Sequence, residues 1–209
     1  MKKTLLLILF VTGFCFGQTY DQIEETYDNG FPKVIKTYKV SKSKLKLVKA
    51  VYWHPNGQKR YEGTYKDGNE DGIWTGWHEN GQKEYEGTIK DGKEDGLITF
   101  WYENGQIEDE GNFTNGKKHG LFTKWNKIGQ ISNKTYFLNN MKDGKDTTYY
   151  LDDDYILSGV SKNKSGDIHT IIEYKQDKKH GIFLKYHEKK LVIKGTYKND
   201  ELIDEEYFE

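Results

Sequence analysis

The chain has 209 residues and a formal charge of −1, with 31% charged residues of both signs; this excludes disorder through self-repulsion and a global electrostatic pull toward nucleic acid. Its hydrophobic share is 34%, of which 15 percentage points are aromatic, and it carries 22 Gly against 2 Pro. That mix excludes a conventional α/β domain built on Leu, Ile, Val and Ala, and it predicts short, turn-rich strands. The first element, residues 1–17, reads as a secretory signal peptide: Lys2 and Lys3 precede an apolar run from Leu5 to Phe16, and small residues follow at Cys15 and Gly17. The run is shorter than the roughly 20 residues that a membrane-spanning helix needs. Cleavage is expected after Gly17, which places the protein in the periplasm, at the cell surface or outside the cell. Lipidation at Cys15 is disfavoured by the bulky Phe14 before it. The remaining chain would hold no cysteine, and its charge would be 30 basic minus 33 acidic, or −3, once Lys2 and Lys3 are gone. Packing alone must then hold it together.

Residues 18–49 form an N-terminal segment with a degenerate repeat around Asp28-Asn29-Gly30-Phe31-Pro32-Lys33. Residues 50–147 hold four clear repeats with a period of 24 residues. Trp53, Trp77, Trp101 and Trp125 share one column, which Tyr149 continues; Gly57, Gly81, Gly105 and Gly129 share another. Gly63, Gly87 and Gly111 share a third, followed by Thr135. Asp67-Gly68, Asp91-Gly92, Asn115-Gly116 and Asn139-Asn140 mark a second turn, and a brief linker leads to Gly72, Gly96, Gly120 and Gly144. Residues 148–209 read as degenerate repeats with an insertion. Asp152 to Ser165 is a worn copy, after which Gly159 to Gly195 spans 36 residues, one period plus 12. Lys179-His180-Gly181-Ile182-Phe183 then matches Lys118-His119-Gly120-Leu121-Phe122. Worn end copies suit an array whose ends face water.

Strand alternation sets an expected register. Ile73, Thr75 and Trp77 recur, as do Tyr85, Gly87 and Ile89 after the turn. A two-residue Asn80-Gly81 loop would place Trp77 and Tyr85 on opposite faces. A three-residue Glu79-Asn80-Gly81 loop, a type I turn closed by a left-handed glycine, pairs Thr75 with Tyr85 and Ile73 with Gly87, so that every recurrent residue shares one face. Pro55, at the position of Glu79, favours the same turn type. The expected fold is all-β, an elongated array of antiparallel β-hairpins.

Two segments carry a resemblance: Tyr85-Glu86-Gly87-Thr88-Ile89-Lys90-Asp91-Gly92-Lys93-Glu94-Asp95-Gly96-Leu97, and Trp101-Tyr102-Glu103-Asn104-Gly105-Gln106. They resemble the MORN repeat superfamily in its bacterial variant form, well over Val51 to Asp146 and in patches from Lys178 to Asp204. The resemblance implies a non-catalytic array acting as a protein-interaction scaffold or dimerisation platform. It also brings two alternatives, an antitoxin or immunity-type role and binding to phospholipid.

The chemistry in the sequence is sparse. His54 and His78 share a column, but Tyr102 and Asn126 follow them, so no third metal ligand is placed by the period. Asp152-Asp153-Asp154 lacks the spacing of a calcium loop. Asp71 and Asp95 recur with the unit, which argues for turn chemistry rather than a catalytic pair. No phosphate loop is present. The basic residues, Lys59, Arg60, Lys117, Lys118, Lys178 and Lys179 among them, flank turns and are matched by acids. No cofactor is expected. The candidate binding surface is the variable column of Trp74, Ile98, Phe100, Tyr102 and Phe122, opposite the recurrent set. Alternation alone leaves open which face is wet. The expected partner is another protein, with a membrane surface as an alternative.

Overall fold

The computed structural model describes residues 18–41, 44–150 and 166–209. The expected signal segment with Cys15, and the stretch from Asp152 to Ser165, lie outside the described residues. Two compact units divide the chain between Gly105 and Gln106. The first holds β1 (Thr19–Thr26), β2 (Pro32–Ser41), β3 (Lys44–Trp53), β4 (Lys59–Lys66), β5 (Asn69–Glu70), β6 (Gly72–Trp77), β7 (Lys83–Lys90) and β8 (Lys93–Trp101). The second holds β9 (Ile107–Thr114), β10 (Lys117–Trp125), β11 (Ile131–Leu138), β12 (Met141–Tyr149), β13 (Ile168–Lys175), β14 (Lys178–His187), β15 (Lys190–Lys198) and β16 (Glu201–Tyr207). Within each unit the sheet is open and antiparallel and its strands follow chain order, with the short β5 lying off that order and pairing β4. The all-β hairpin array read from the sequence is the fold.

Two turn types alternate. The first is the three-residue turn of the sequence reading. Gly81 N donates to His78 O at 2.9 Å, His78 N donates to Gln82 O at 2.9 Å, and Gly81 sits at φ +83°. His54 to Gln58, Asn126 to Gln130 and the N-terminal Tyr27 to Phe31 close in the same way. The second is a two-residue turn with both residues left-handed: Asp67 and Gly68 at φ 49° and 94°, Asp91 and Gly92 at 50° and 77°, Asn139 and Asn140 at 54° and 74°. Asn, Asp and Gly tolerate that conformation, and its twist suits antiparallel strands.

The loop length is as expected, but the register is not. Trp77 pairs Lys83, and the next pair is Gly76 with Tyr85, so Glu84 is an extra residue. This second bulge shifts the rest of the strand by one: Thr75 pairs Glu86 and Trp74 pairs Gly87. The same shift follows Trp53–Lys59 and Trp125–Ile131. Trp77 and Tyr85 therefore face opposite sides, and the two recurrent sets do not share a face. Further along, the expected linker before Gly96 is part of continuous β8, bulged between the pairs Ile89–Glu94 and Gly87–Ile98. Gly96 there has φ +121°. Among the described residues this strand breaks only in the first repeat, into β5 and β6.

Tyr150 N donates to Asp167 O at 2.9 Å and Gly166 N donates to Tyr150 O at 3.0 Å. These are the two bonds that close the three-residue turn elsewhere. The same pair of bonds thus joins the described residues on either side of 151–165.

The core follows one row across the strands of each unit, in which Trp74, Ile98 and Phe122 each stand beside a smaller residue. In the first unit Ala50 pairs Gly63, and Trp74 and Ile98 both pair Gly87. In the second, Phe122 pairs Gly111 on one side and Thr135 on the other, and Thr135 pairs Asp146. A Cβ on Gly63 would lie 2.1 Å from Trp74 Cδ2, and one on Gly111 would lie 2.4 Å from Phe122 Cδ1. Each ring lies flat over the neighbouring strand's glycine. In this way a sheet buries apolar area without a second layer stacked on it, and the burial of such a ring contributes about 1.5–3 kcal/mol.

Candidate functional site

The face that carries this row is called the core face here. Trp74 is 8% exposed, Ile98 1% and Phe122 5%. These three members of the expected binding column are buried and present no surface to a partner. The bulge after each tryptophan is the reason, because it brings the alternate column together with Tyr85, Gly87 and Ile89. Phe100, at 39% exposure, and the half-buried Tyr102 keep some accessible area. The opposite face carries Ile73 at 64% and Leu97 at 50%, so the recurrent aliphatics point to water.

The other recurrent residues build the turns. Trp53, Trp77, Trp101 and Trp125 are half-buried. Lys59 Nζ lies 5.5 Å from the Trp77 ring centre and Lys83 Nζ 5.5 Å from that of Trp101. Gly57, Gly81, Gly105 and Gly129 have φ of +84°, +83°, +83° and +82°. His54 Nε2 donates to Trp77 O at 2.7 Å, and His78 Nε2 donates to Trp101 O at 2.7 Å. Tyr27 Oη makes the same bond to Trp53 O at 2.7 Å. At Tyr27, His54 and His78 the column that reads as indifferent in sequence is a ring donor that pins one turn to the next, whereas Asn126 Nδ2 donates to Gln130 Oε1 within its own turn at 3.0 Å. Asn56 Nδ2 donates to Glu79 O at 2.8 Å, and Asn80 Nδ2 to Glu103 O at 2.7 Å. At the other edge, Asn140 and Lys118 exchange two bonds, as do Asp200 and Lys179.

What differs between the units lies on the core face, beside the buried row. In the first unit the adjacent row runs Tyr52, Tyr61, Gly76, Tyr85, Phe100. The Tyr85 and Phe100 ring centres are 5.3 Å apart. In the second unit the corresponding residues are Asp109, Lys124, Asn133 and Thr148. On the other side of the core row the sign of charge changes. Glu70 pairs Tyr65 and Glu94 pairs Ile89 in the first unit; Lys118, Lys142 and Lys179 hold the same place in the second. Each of these lysines sits on a ring: Lys118 Nζ is 4.7 Å from the centre of Phe122, Lys142 Nζ 4.8 Å from Tyr174 and Lys179 Nζ 4.9 Å from Tyr197. Where Phe122 and Gly111 have become Asp146 and Thr135, the core turns polar. Asp146 accepts from Asn133 Nδ2 at 2.6 Å and from Thr135 Oγ1 at 2.9 Å, and it pairs with Lys142.

Two ionisable groups on this face are displaced. Burial, with the charges of Glu94 and Glu70, pushes Tyr85 up to about 12. Burial also raises Asp109 above its ordinary value, against the opposing pull of Lys124 and Lys118. Glu70 and Glu94 are not singled out by the sequence reading. The signal that would have found them is a column of charge that keeps its spacing and switches sign.

The repeat geometry is matched by the family comparison. Residues 48–67, 70–91, 94–115 and 179–199 match the MORN repeat variant. The chain carries MORN repeats of the variant form. No curated protein matches the sequence. The fourth MORN match, on β14 and β15, keeps the core pairing of Phe183 with Gly195. The unmatched stretch around β10 to β12 keeps the same turns and register, with the polar Thr135–Asp146 pair in its core.

Proposed function

We propose that this MORN-repeat chain acts by binding, as a non-catalytic protein-interaction scaffold exported by its first 17 residues. One observation carries the reading. The turn residues and the buried row repeat and are used to hold neighbours together, whereas the core-face residues beside them differ from unit to unit: Tyr61, Tyr85 and Phe100 against Asp109, Lys124 and Asn133. A rigid frame that presents non-repeating side chains on one face is suited to recognition, because its backbone order is already set before the partner arrives.

The test is capture by the full chain from a cell-envelope fraction, comparing wild type with Phe100→Asp and Tyr61→Asp. A stoichiometric protein retained by wild type and lost by both variants is the expected result. Retention of the same protein by both variants would move the interaction off this face. A captured partner that kills cells when expressed alone would assign the chain the immunity-type role. Flotation with anionic liposomes, and no protein partner, would replace the scaffold reading by lipid binding. Fractionation of cells expressing the tagged chain tests export, for which a purely cytoplasmic product is the contrary result.

A further inference from the structure

We infer that the core face of the first unit seats a basic side chain, an arginine or lysine on an extended segment of the partner, between the Tyr65 and Tyr85 rings and the Glu70 and Glu94 carboxylates. The inference rests on the scaffold reading and names the chemistry of its partner. In the second unit the corresponding backbone place is occupied from within. At this place in its repeats the chain itself supplies a cation, and Lys118 and Lys179 lie over Phe122 and Tyr197 at 4.7 and 4.9 Å from the ring centres. The ring face is electron-rich and holds such a cation. In the first unit the same positions are Glu70 and Glu94, so no internal cation is supplied and two carboxylates stand in its place.

The surroundings fit an external cation. Glu70 pairs Tyr65 across the β4–β5 hairpin and accepts a long hydrogen bond from its hydroxyl at 3.5 Å. Tyr85 extends along β7, and its hydroxyl lies 2.7 Å from the place that a Cβ on Gly87 would take. The charges of both Glu94 and Glu70 bear on that hydroxyl. Among the described residues no lysine or arginine forms an ion pair with Glu70 or Glu94, whereas Glu62 and Glu86 on the opposite face are paired with Lys49, Lys59 and Lys83. Both carboxylates are half-buried, so a guanidinium placed there meets partly desolvated charge and aromatic faces together, the combination in which arginine is favoured.

The experiment is isothermal titration of the full chain with a blocked peptide of alternating arginine and threonine, twelve residues long, and with its glutamate–threonine counterpart. Wild type should bind the arginine peptide saturably and the glutamate peptide not at all. The double substitution Glu70→Gln and Glu94→Gln should weaken binding at least ~10-fold, the scale of one charge-assisted contact on an aromatic face. Each single substitution, in a chain whose circular dichroism and melting match wild type, should weaken it by part of that factor. Removing the same charge on β16, by Glu201→Gln and Glu206→Gln, should leave binding unchanged. Equal weakening by the β16 pair would show diffuse electrostatics and overturn the seat. Wild-type-like binding by the Glu70→Gln, Glu94→Gln chain would overturn it as well. A captured protein partner that is held equally by that chain removes the cation seat and leaves the scaffold reading standing.

Discussion

At the residue scale, the glycines show how a one-layer sheet makes a core. Gly63, Gly87 and Gly111 are read in the sequence only as a column, and strand glycines usually weaken a strand. Here each clears space for a ring or an aliphatic chain from the strand beside it. Gly63→Ala is expected to cost about 1–3 kcal/mol, because Trp74 must leave its place over the strand; urea denaturation followed by tryptophan fluorescence reads the change. The histidines argue the same point about columns. His78 looks replaceable in sequence because Tyr and Asn share its column, but tyrosine and histidine both project a ring donor to a carbonyl of the next turn. His78→Ala is therefore expected to cost about 1 kcal/mol, and His78→Tyr to restore most of it, as Tyr27 makes the equivalent bond to Trp53 O. Equal losses in the two variants would remove the hydrogen bond as the explanation.

At the element scale, the turns were legible and the register was not. The three-residue loop follows from local chemistry, a proline at Pro55 and a glycine that reaches φ +83° at Gly81. The extra residue at Glu84 follows from nothing local. It goes with the packing of Trp74 over Gly63 and of Ile98 over Gly87 and with strand twist, which bulges increase, and one such residue exchanges the faces of a whole strand. Element context also sets two titrations with opposite signs. Burial pushes Glu62 up, but hydrogen bonds from Lys49 and Lys59 outweigh it and hold the carboxyl below its ordinary value. Its contribution to stability is present above the unfolded value and is lost as pH falls through the folded one. Asp109 is raised, chiefly by burial. The native state then holds its proton more firmly than the unfolded chain, so its contribution is fully present below the unfolded value and is lost as pH rises through the raised folded one. Asp109→Asn is expected to raise the urea midpoint at pH 7 and to leave it unchanged at pH 3. A fall at pH 7 would mean that the Lys124 pairing outweighs the cost of burial.

At the scale of the whole molecule, the repeat fixes where side chains stand and lets their charge vary. One position reads Glu70, Glu94, Lys118, Lys142, Lys179 along the chain, acidic in the first unit and basic in the second. In the second unit the position stabilises the fold by placing an ammonium on a ring. In the first it places two carboxylates there and supplies no cation from within. The comparison predicts the outcome of an exchange. Lys118 reaches Phe122, four residues ahead of it, and the residue four ahead of Glu70 is Trp74. Glu70→Lys should place its ammonium on the Trp74 ring and raise stability by about 0.5–1 kcal/mol. It should also fill the seat from within and abolish binding of the arginine peptide. Stability is read by denaturant midpoint and binding by calorimetry on the same preparation. A variant that gains stability and still binds would separate the charge pattern from recognition. One that loses both would show that Trp74 is too deeply covered to accept the ammonium as Phe122 does.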